Sequence, residues 1–256
     1  MNSTSSFDLT TIILTFNAGS TLPRCLESLT PLNSQICIID SGSSDNTLEL
    51  ARKYTNQIVM SPLSDFSKQR NLGLDHVSAE WVLFIDSDEM LTPELTREIC
   101  RILTMGVSST IAGFAMKRHN QIFGHWMRFG GHQRDWQIRL MRRSRARYVN
   151  FVHEQVELRG ELRRLRSPLL HYSTPDLQSY LAKLGFYAEL EAKQLVASRK
   201  SPALLRLWTD PFIGWLRQYI FDLGFLDGRA GLQFALLSAF NRYCVLARWR
   251  ELVKNP

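Results

Sequence analysis

A chain of 256 residues with 45% apolar and 21% charged side chains can bury a sizeable core without staples, which excludes disordered and collagen-like classes. Four cysteines without a CxxC pair argue against a zinc site or a disulfide framework and for a reducing compartment. The polar start Met1–Ser6 has no basic stretch followed by an apolar run, so no secretory signal is read and cytoplasmic residence is expected.

The net charge is +7, with the surplus concentrated after about Lys117. That half of the chain suits an anionic partner, either a phosphorylated acceptor or an anionic membrane surface. Nucleic acid is not expected, since no recognition helix, zinc finger or RNA-binding aromatic motif is present.

The first hundred residues alternate short apolar runs with helix-like segments, the pattern of an α/β domain with a largely parallel sheet. Leu9–Phe16 reads as a buried strand and Ser20–Leu29 as a short helix with Pro23 in its first turn. Gln35–Asp40 is a second strand, closed by the turn Ser41–Asp45 that starts a helix reaching about Lys53. A weaker strand, Gln57–Met60, precedes a helix over about Phe66–Val77 capped by Ser64 or Asp65. Trp81–Asp86 is the most apolar strand, and Thr92-Pro93 opens a helix running to about Leu103.

From about Ile111 the runs GFAMKR, WQIRLMRR, YVNFVHEQVEL and SPLLHYS read as shorter strands of a mixed-sheet half. After Thr174-Pro175 the chain turns helical, first over Asp176 to about Arg199. From Pro202 it is rich in Leu, Trp and Phe with scattered arginines, and its longest uncharged stretch, Ala230–Asn241, is too short to span a bilayer. Aromatic and basic residues on amphipathic helices suit the headgroup boundary of an anionic membrane, with packing or dimerisation as the plainer account. The expected division is a domain at 1–174, with halves at 1–105 and 106–174, and a helical extension at 175–256.

Two strands end in acids, Asp40 and the cluster Asp86-Ser87-Asp88. Ligands of open α/β sheets bind outside the carboxyl ends of strands, so Asp40, Asp86 and Asp88 are expected to face one crevice. Paired carboxylates are hard oxygen ligands suited to Mg²⁺ or Mn²⁺, and such an ion would neutralise a diphosphate leaving group. A DxD triplet alone is more often a solvated cap. Asp40 followed by small residues could hydrogen-bond a base or ribose edge, and Ser44 or Asp45 would serve as a helix cap beside it.

Thr15-Phe16-Asn17, Asp40 to Thr47, Lys68-Gln69-Arg70-Asn71 and Phe84 to Glu89, taken in order, resemble the successive signatures of family 2 inverting glycosyltransferases with the GT-A fold. Asp135 to Leu140, Val152-His153-Glu154 and His171-Tyr172-Ser173 resemble its bacterial lipopolysaccharide-core glucosyltransferase branch. The resemblance implies a Rossmann-like mixed sheet flanked by helices, a UDP-glucose donor and a lipopolysaccharide-core or other lipid-linked acceptor; with the aromatic and basic terminal segment, peripheral attachment to the cytoplasmic face of the inner membrane is expected. It further implies that Thr15, Asn17, Asp40, Ser43, Lys68, Arg70, Asn71, Asp86 and Ser87 bind the nucleotide sugar. Asp86 and Asp88 would hold the metal, with His171 as a further ligand or, equally, a histidine hydrogen-bonded within a strand.

Inversion needs one base for the acceptor hydroxyl, and Glu154 and Asp135 are the candidates. Glu154 is favoured because it interrupts an apolar run. The chain lacks the family's commoner Glu-Asp pair and Arg-Trp companion at these places. Arg139, Arg142 and Arg143 could grip acceptor or donor phosphate, or form an exposed basic strand face. Gly130-Gly131 resembles an acceptor loop or marks a simple turn.

Other classes fit less well. A haloacid dehalogenase-type phosphatase expects Thr or Val where Glu89 stands, and a nucleotidylyltransferase needs a glycine- and arginine-rich loop where Asn17–Ser20 stands. A dinucleotide dehydrogenase needs the absent G-x-G-x-x-G. A non-catalytic nucleotide-sugar or polyanion-binding module is the remaining alternative.

Overall fold

The computed structural model describes residues 8–62, 66–149, 155–197 and 203–254. The chain divides into two compact units, Met1–Arg118 with Trp136–His171, and His119–Asp135 with Tyr172–Pro256.

The first unit is built on β1 (Leu9–Thr15), β2 (Gln35–Asp40), β3 (Ile58–Met60) and β4 (Trp81–Asp86). All four run parallel, in the order β3-β2-β1-β4, with Thr15 opposite Asp40 and Leu14 opposite Asp86. Beyond β4 the sheet turns antiparallel through β8 (Trp136–Arg142) and β6 (Ile111–Ile122). The two short strands β5 (Glu89–Leu91) and β12 (Leu169–Thr174) pair antiparallel, with His171 opposite Glu89.

Strand alternation sorts the core onto two faces. Ile13, Ile38, Leu83 and Ile85 join residues of helices α1 (Leu22–Leu29) and α4 (Pro93–Met105) in one apolar cluster. Ile12, Ile39, Val82 and Phe84 join Leu74 of α3 (Phe66–His76) and Tyr148 in another. Burial on both faces explains why these strands read as near-continuous apolar runs. Each such fully buried Ile or Phe contributes about 1.5–3 kcal/mol. The chain thus forms the expected mixed sheet flanked by helices, with helices at the C-terminal end.

Local chemistry sets the helix ends. Pro93 starts α4 while Thr92 accepts the Leu95 N–H, as its sequence predicts. Helix α2 (Thr47–Arg52) begins later than expected, because Asp45 holds the Thr47 N–H and hydroxyl in the preceding turn. The expected caps of α3, Ser64 and Asp65, lie outside the described residues.

The run 148–158, expected as one strand, is instead β9 (Ala146–Val149) and β10 (Gln155–Leu158), paired antiparallel. Strand β11 (Glu161–Arg164) was not expected, since its four residues are exposed and polar; it pairs with β6.

The second unit holds α5 (Leu177–Ala197), α6 (Arg206–Leu216) and α7 (Gly228–Lys254), where Ala192, Leu246 and Trp249 form a small core. It also holds β7 (His125–Trp126), which folds back on the end of β6 through Phe123 and Gly124, both at positive φ as a tight hairpin needs. Residues 119–135 therefore group with the helices, which departs from the boundary expected at residue 174. Buried Asp227 explains part of this, since its carboxylate accepts the N–H groups of Arg128 and Phe129. Among the described residues, no helix is long and apolar enough to cross a membrane.

Candidate active site

In the first unit, β1 ends between two acids. Asp40 lies one strand to one side and Asp86 one strand to the other, roughly 10 Å apart along the sheet. Both stand at carboxyl ends of parallel strands, where the sequence placed them.

Asp40 is not open to a ligand in the way expected. It is fully buried, and its two oxygens accept four hydrogen bonds: Gly42 N–H at 2.9 Å and Ser43 N–H at 2.8 Å on one, Thr15 Oγ1 at 2.7 Å and Ser43 Oγ at 2.6 Å on the other. A carboxylate offers about four lone-pair positions. Asp40 therefore shapes the loop Ser41–Ser44, with Gly42 at φ +96° where a side chain would be strained. Exposed Asn17, at φ 47°, completes the rim: its N–H donates to Ser43 Oγ and its Oδ1 accepts the Ser44 N–H. Thr15, Asn17, Asp40 and Ser43 are thus one hydrogen-bonded cluster.

Asp86 sits between two guanidiniums. Arg70 Nη2 reaches one oxygen at 2.8 Å and Arg139 Nη2 the other at 2.5 Å, both arginines being almost completely buried. Burial alone would raise the Asp86 carboxyl, but Arg139 and Arg70 outweigh it and hold it well below the usual carboxylate range. Arg70 is fixed in turn between the rings of Phe84 and Tyr148, at 5.6 and 5.5 Å.

Glu89 was read only as the residue after the triplet, and it proves central. It is completely buried, accepts Arg139 Nη2 at 2.6 Å and the Asp86 N–H at 3.0 Å, and stands 3.6 Å from Arg118 Nη1. The only sequence signal was an acid followed by two apolar residues. Cys25, beneath these acids, is kept as a thiol by burial first and by the charges of Glu89, Asp88 and Asp86 next.

Asp88 differs from its neighbours. Its Oδ1 lies 3.4 Å from His171 Nε2, and both side chains are partly exposed. The β5–β12 pairing brings them together, because it sets His171 opposite Glu89. Two donors about 2.1 Å from one cation stand roughly 3.0–3.4 Å apart, so this pair fits a shared divalent ion. Among the described residues, no three His, Cys, Asp or Glu side chains gather closely enough to hold an ion alone. A Mg²⁺- or Mn²⁺-type ion would take its remaining ligands from phosphate oxygens and water, its usual habit.

The other expected residues separate. Asn71 is committed elsewhere: its side chain donates to the Tyr148 carbonyl and accepts the Tyr148 N–H, both at 2.9 Å, tying α3 to β9. Lys68 is exposed on α3, and partly buried Ser87 lies in the turn between β4 and β5. Gln69, from the same motif, donates to Ser41 Oγ and the Ser61 carbonyl and so braces the Asp40 loop.

Arg139 is a buried partner of the acids and not an exposed phosphate grip. Arg142 and Arg143 lie away from the Asp86 cluster. Strand β8 runs antiparallel to β4, so the chain moves away from Asp86 after Arg139, and Arg142 faces Trp81 at the far end. There it stacks on the Trp81 ring at 4.7 Å, donates to the Ile111 and Val107 carbonyls and pairs with Glu80, while Arg143 donates to the Ala79 carbonyl.

Of the two base candidates, Glu154 lies outside the described residues. Asp135, in the second unit, accepts a 2.8 Å hydrogen bond from buried Asn120, whose amide also meets His132 Nδ1 at 2.9 Å. Gly130 and Gly131, at φ 64° and 98°, form a turn in which the Gly130 N–H donates to the Asp222 carbonyl.

Residues 10–157 match the family described as glycosyl transferase family 2. The chain is 28% identical to the lipopolysaccharide core biosynthesis glycosyltransferase LpsC of Rhizobium meliloti, over 94% of each chain. It is 24% identical to the uncharacterized glycosyltransferase RP128 of Rickettsia prowazekii, over 95% of this chain and 87% of that one. Among solved structures, S. aureus TarS 1-349 in complex with UDP aligns over 95% of this chain and 91% of its own, at 15% identity and a TM-score of 0.46.

Proposed function

The chain belongs to glycosyl transferase family 2, and from that membership we propose that it moves a hexose, glucose from UDP-glucose, onto a lipopolysaccharide-core or other lipid-linked saccharide at the cytoplasmic face of the inner membrane. The observation that carries the reading is the pairing of Asp88 with His171 beside Asp86, at the end of β4. The likeness to LpsC supports the choice of lipopolysaccharide core. The donor sugar rests on the resemblance of the motifs.

The loop braced by Asp40, with Thr15, Asn17 and Ser43, would receive the base and ribose. Its hydrogen bonds are already made, so little ordering remains for the ligand to drive. Lys68 would approach the donor from α3. Arg70 and Arg139 hold Asp86 ionised and immobile, while Ser87 and Asp88 follow it toward solvent.

Asp88 and His171 would hold Mg²⁺ or Mn²⁺, which when bound neutralises the charge on the departing diphosphate. Transfer inverts the anomeric carbon in one displacement, with Asp135 or Glu154 taking the acceptor hydroxyl's proton.

The test is UDP release from UDP-glucose with and without Mg²⁺ or Mn²⁺. Turnover is expected to need the ion and to fall about 100-fold or more in Asp88→Ala, with the circular dichroism spectrum retained. Undiminished turnover in that variant would remove the assignment. Release of inorganic phosphate from phosphomonoesters would instead favour a phosphatase.

A further inference from the structure

Among the described residues, the second unit leaves a group of large apolar side chains exposed on and after α6. Leu205, Trp208, Phe212, Ile213 and Phe221 each expose between 59 and 72% of their surface. Leu205, Trp208 and Phe212 recur at i, i+3 and i+7, which places them on one side of α6. The helix continues into a π-helical turn, Arg217–Phe221, that carries exposed Phe221. Scattered exposed apolar residues need no explanation, but a contiguous group of large ones marks an interaction surface.

Charge selects the occupant. The acids near this segment are turned inward, the side chains of Asp227, Asp222 and Asp210 being 2, 14 and 20% exposed, while the exposed acid Glu251 lies near the far end of α7. Its arginines are turned outward, Arg206 at 48% and Arg217 at 75%. Residues 203–254 carry seven basic against four acidic side chains. A second copy would bring the same cationic rim against itself, whereas an anionic lipid surface complements it. A helix with an apolar side flanked by arginines, and too short in apolar length to span, lies along the headgroup boundary.

We infer that the Leu205–Phe221 segment is a membrane-docking surface, inserting Trp208, Phe212, Ile213 and Phe221 into an anionic lipid leaflet. It deepens the proposed function, on whose reading of a lipid-linked acceptor it rests for its purpose.

The test is co-sedimentation of the full-length chain with phosphatidylglycerol-containing vesicles and with pure phosphatidylcholine vesicles. Binding is expected to favour the anionic vesicles, to weaken as salt rises, and to fall about tenfold or more in Trp208→Ser/Phe212→Ser. An Arg217→Glu variant, which leaves the apolar face intact, is expected to lose part of the anionic preference. Equal binding to both vesicles, or equal binding by wild type and double variant, overturns the inference. So does a dimer by light scattering that the double variant converts to monomer.

Metal-dependent UDP release is followed in parallel and is expected to be unchanged in the double variant. Failure of docking with that activity intact leaves the transferase reading standing. Vesicle binding without that activity does the reverse.

Discussion

Arg139 illustrates what a single residue in this site is for. Its guanidinium bridges Asp86 and Glu89; Arg139 and Glu89 are almost without solvent, while Asp86 is partly exposed. Removing one partner of a buried pair strands the other's charge, which costs about 3–5 kcal/mol. Arg139→Met is therefore expected to lower the free energy of unfolding in urea by that much, even though Met matches the apolar stem. Adding Glu89→Leu to the same chain is expected to restore part of the loss, because the stranded carboxylate is gone. A double variant no more stable than Arg139→Met alone would refute this account of Glu89. The DxD triplet was legible from the order of residues, but Glu89's role was not. Its charge and neighbours say acid near an acid, and Arg139, fifty residues on, with Arg118 and Arg70, makes that tolerable.

Elements position these residues through close packing, and Gly73 is where α3 meets β1. A Cβ there would lie 2.9 Å from Ile12 Cγ2, a branched core atom with little room to yield. Gly to Ala within a helix ordinarily stabilises by up to about 1 kcal/mol, whereas overpacking a core costs about 1–3 kcal/mol. Gly73→Ala is expected to destabilise on balance in chemical unfolding, and Gly73→Val more so. A gain in stability for Gly73→Ala would show that α3 can move off the sheet.

The strand that carries His171 is anchored by a different device. Glu98 of α4 accepts the N–H groups of Arg166 and Ser167 just before β12. Burial would raise this carboxyl, but those hydrogen bonds, with the Ser167 hydroxyl and the Arg166 charge, lower it from its ordinary 4.5. A depressed acid contributes stability that is full above its unfolded value and is lost as pH falls through the folded one. Wild type is thus expected to lose more stability than Glu98→Gln as pH drops below about 4.5. Parallel acid unfolding curves for the two would contradict the anchor.

At the scale of the whole molecule, the division of the chain matters most. A cut after Thr174 looks natural in the sequence, since the pattern turns helical there. Residues 119–135, however, depend on the removed segment. Asp227 accepts the Arg128 and Phe129 N–H groups, Asp222 accepts the Gly130 N–H through its carbonyl and pairs with Arg134, and Phe234 packs on His132 at 5.0 Å. A chain ending at Thr174 leaves several of these buried polar groups unsatisfied. It is expected to aggregate, or to melt without a cooperative transition, in size exclusion and thermal denaturation. A monodisperse, cooperatively melting fragment would show that the first 174 residues stand alone.

The amino-acid sequence by itself determined the alternating α/β order, the four parallel strands, the acids at the ends of two of them, and the Thr92-Pro93 helix start. Each depends on neighbours within a few positions, where periodicity, caps and turn residues act. It did not determine which acids are used up internally, which arginines are buried, or that 119–135 joins the helices. Only the tertiary structure decided those, because groups brought alongside by other elements complete each carboxylate's environment: Thr15 at Asp40, Arg70 and Arg139 at Asp86, and His171 at Asp88. Asp40 and Asp88 look alike in the chain. The fold surrounds one with four donors and leaves the other partly open beside His171.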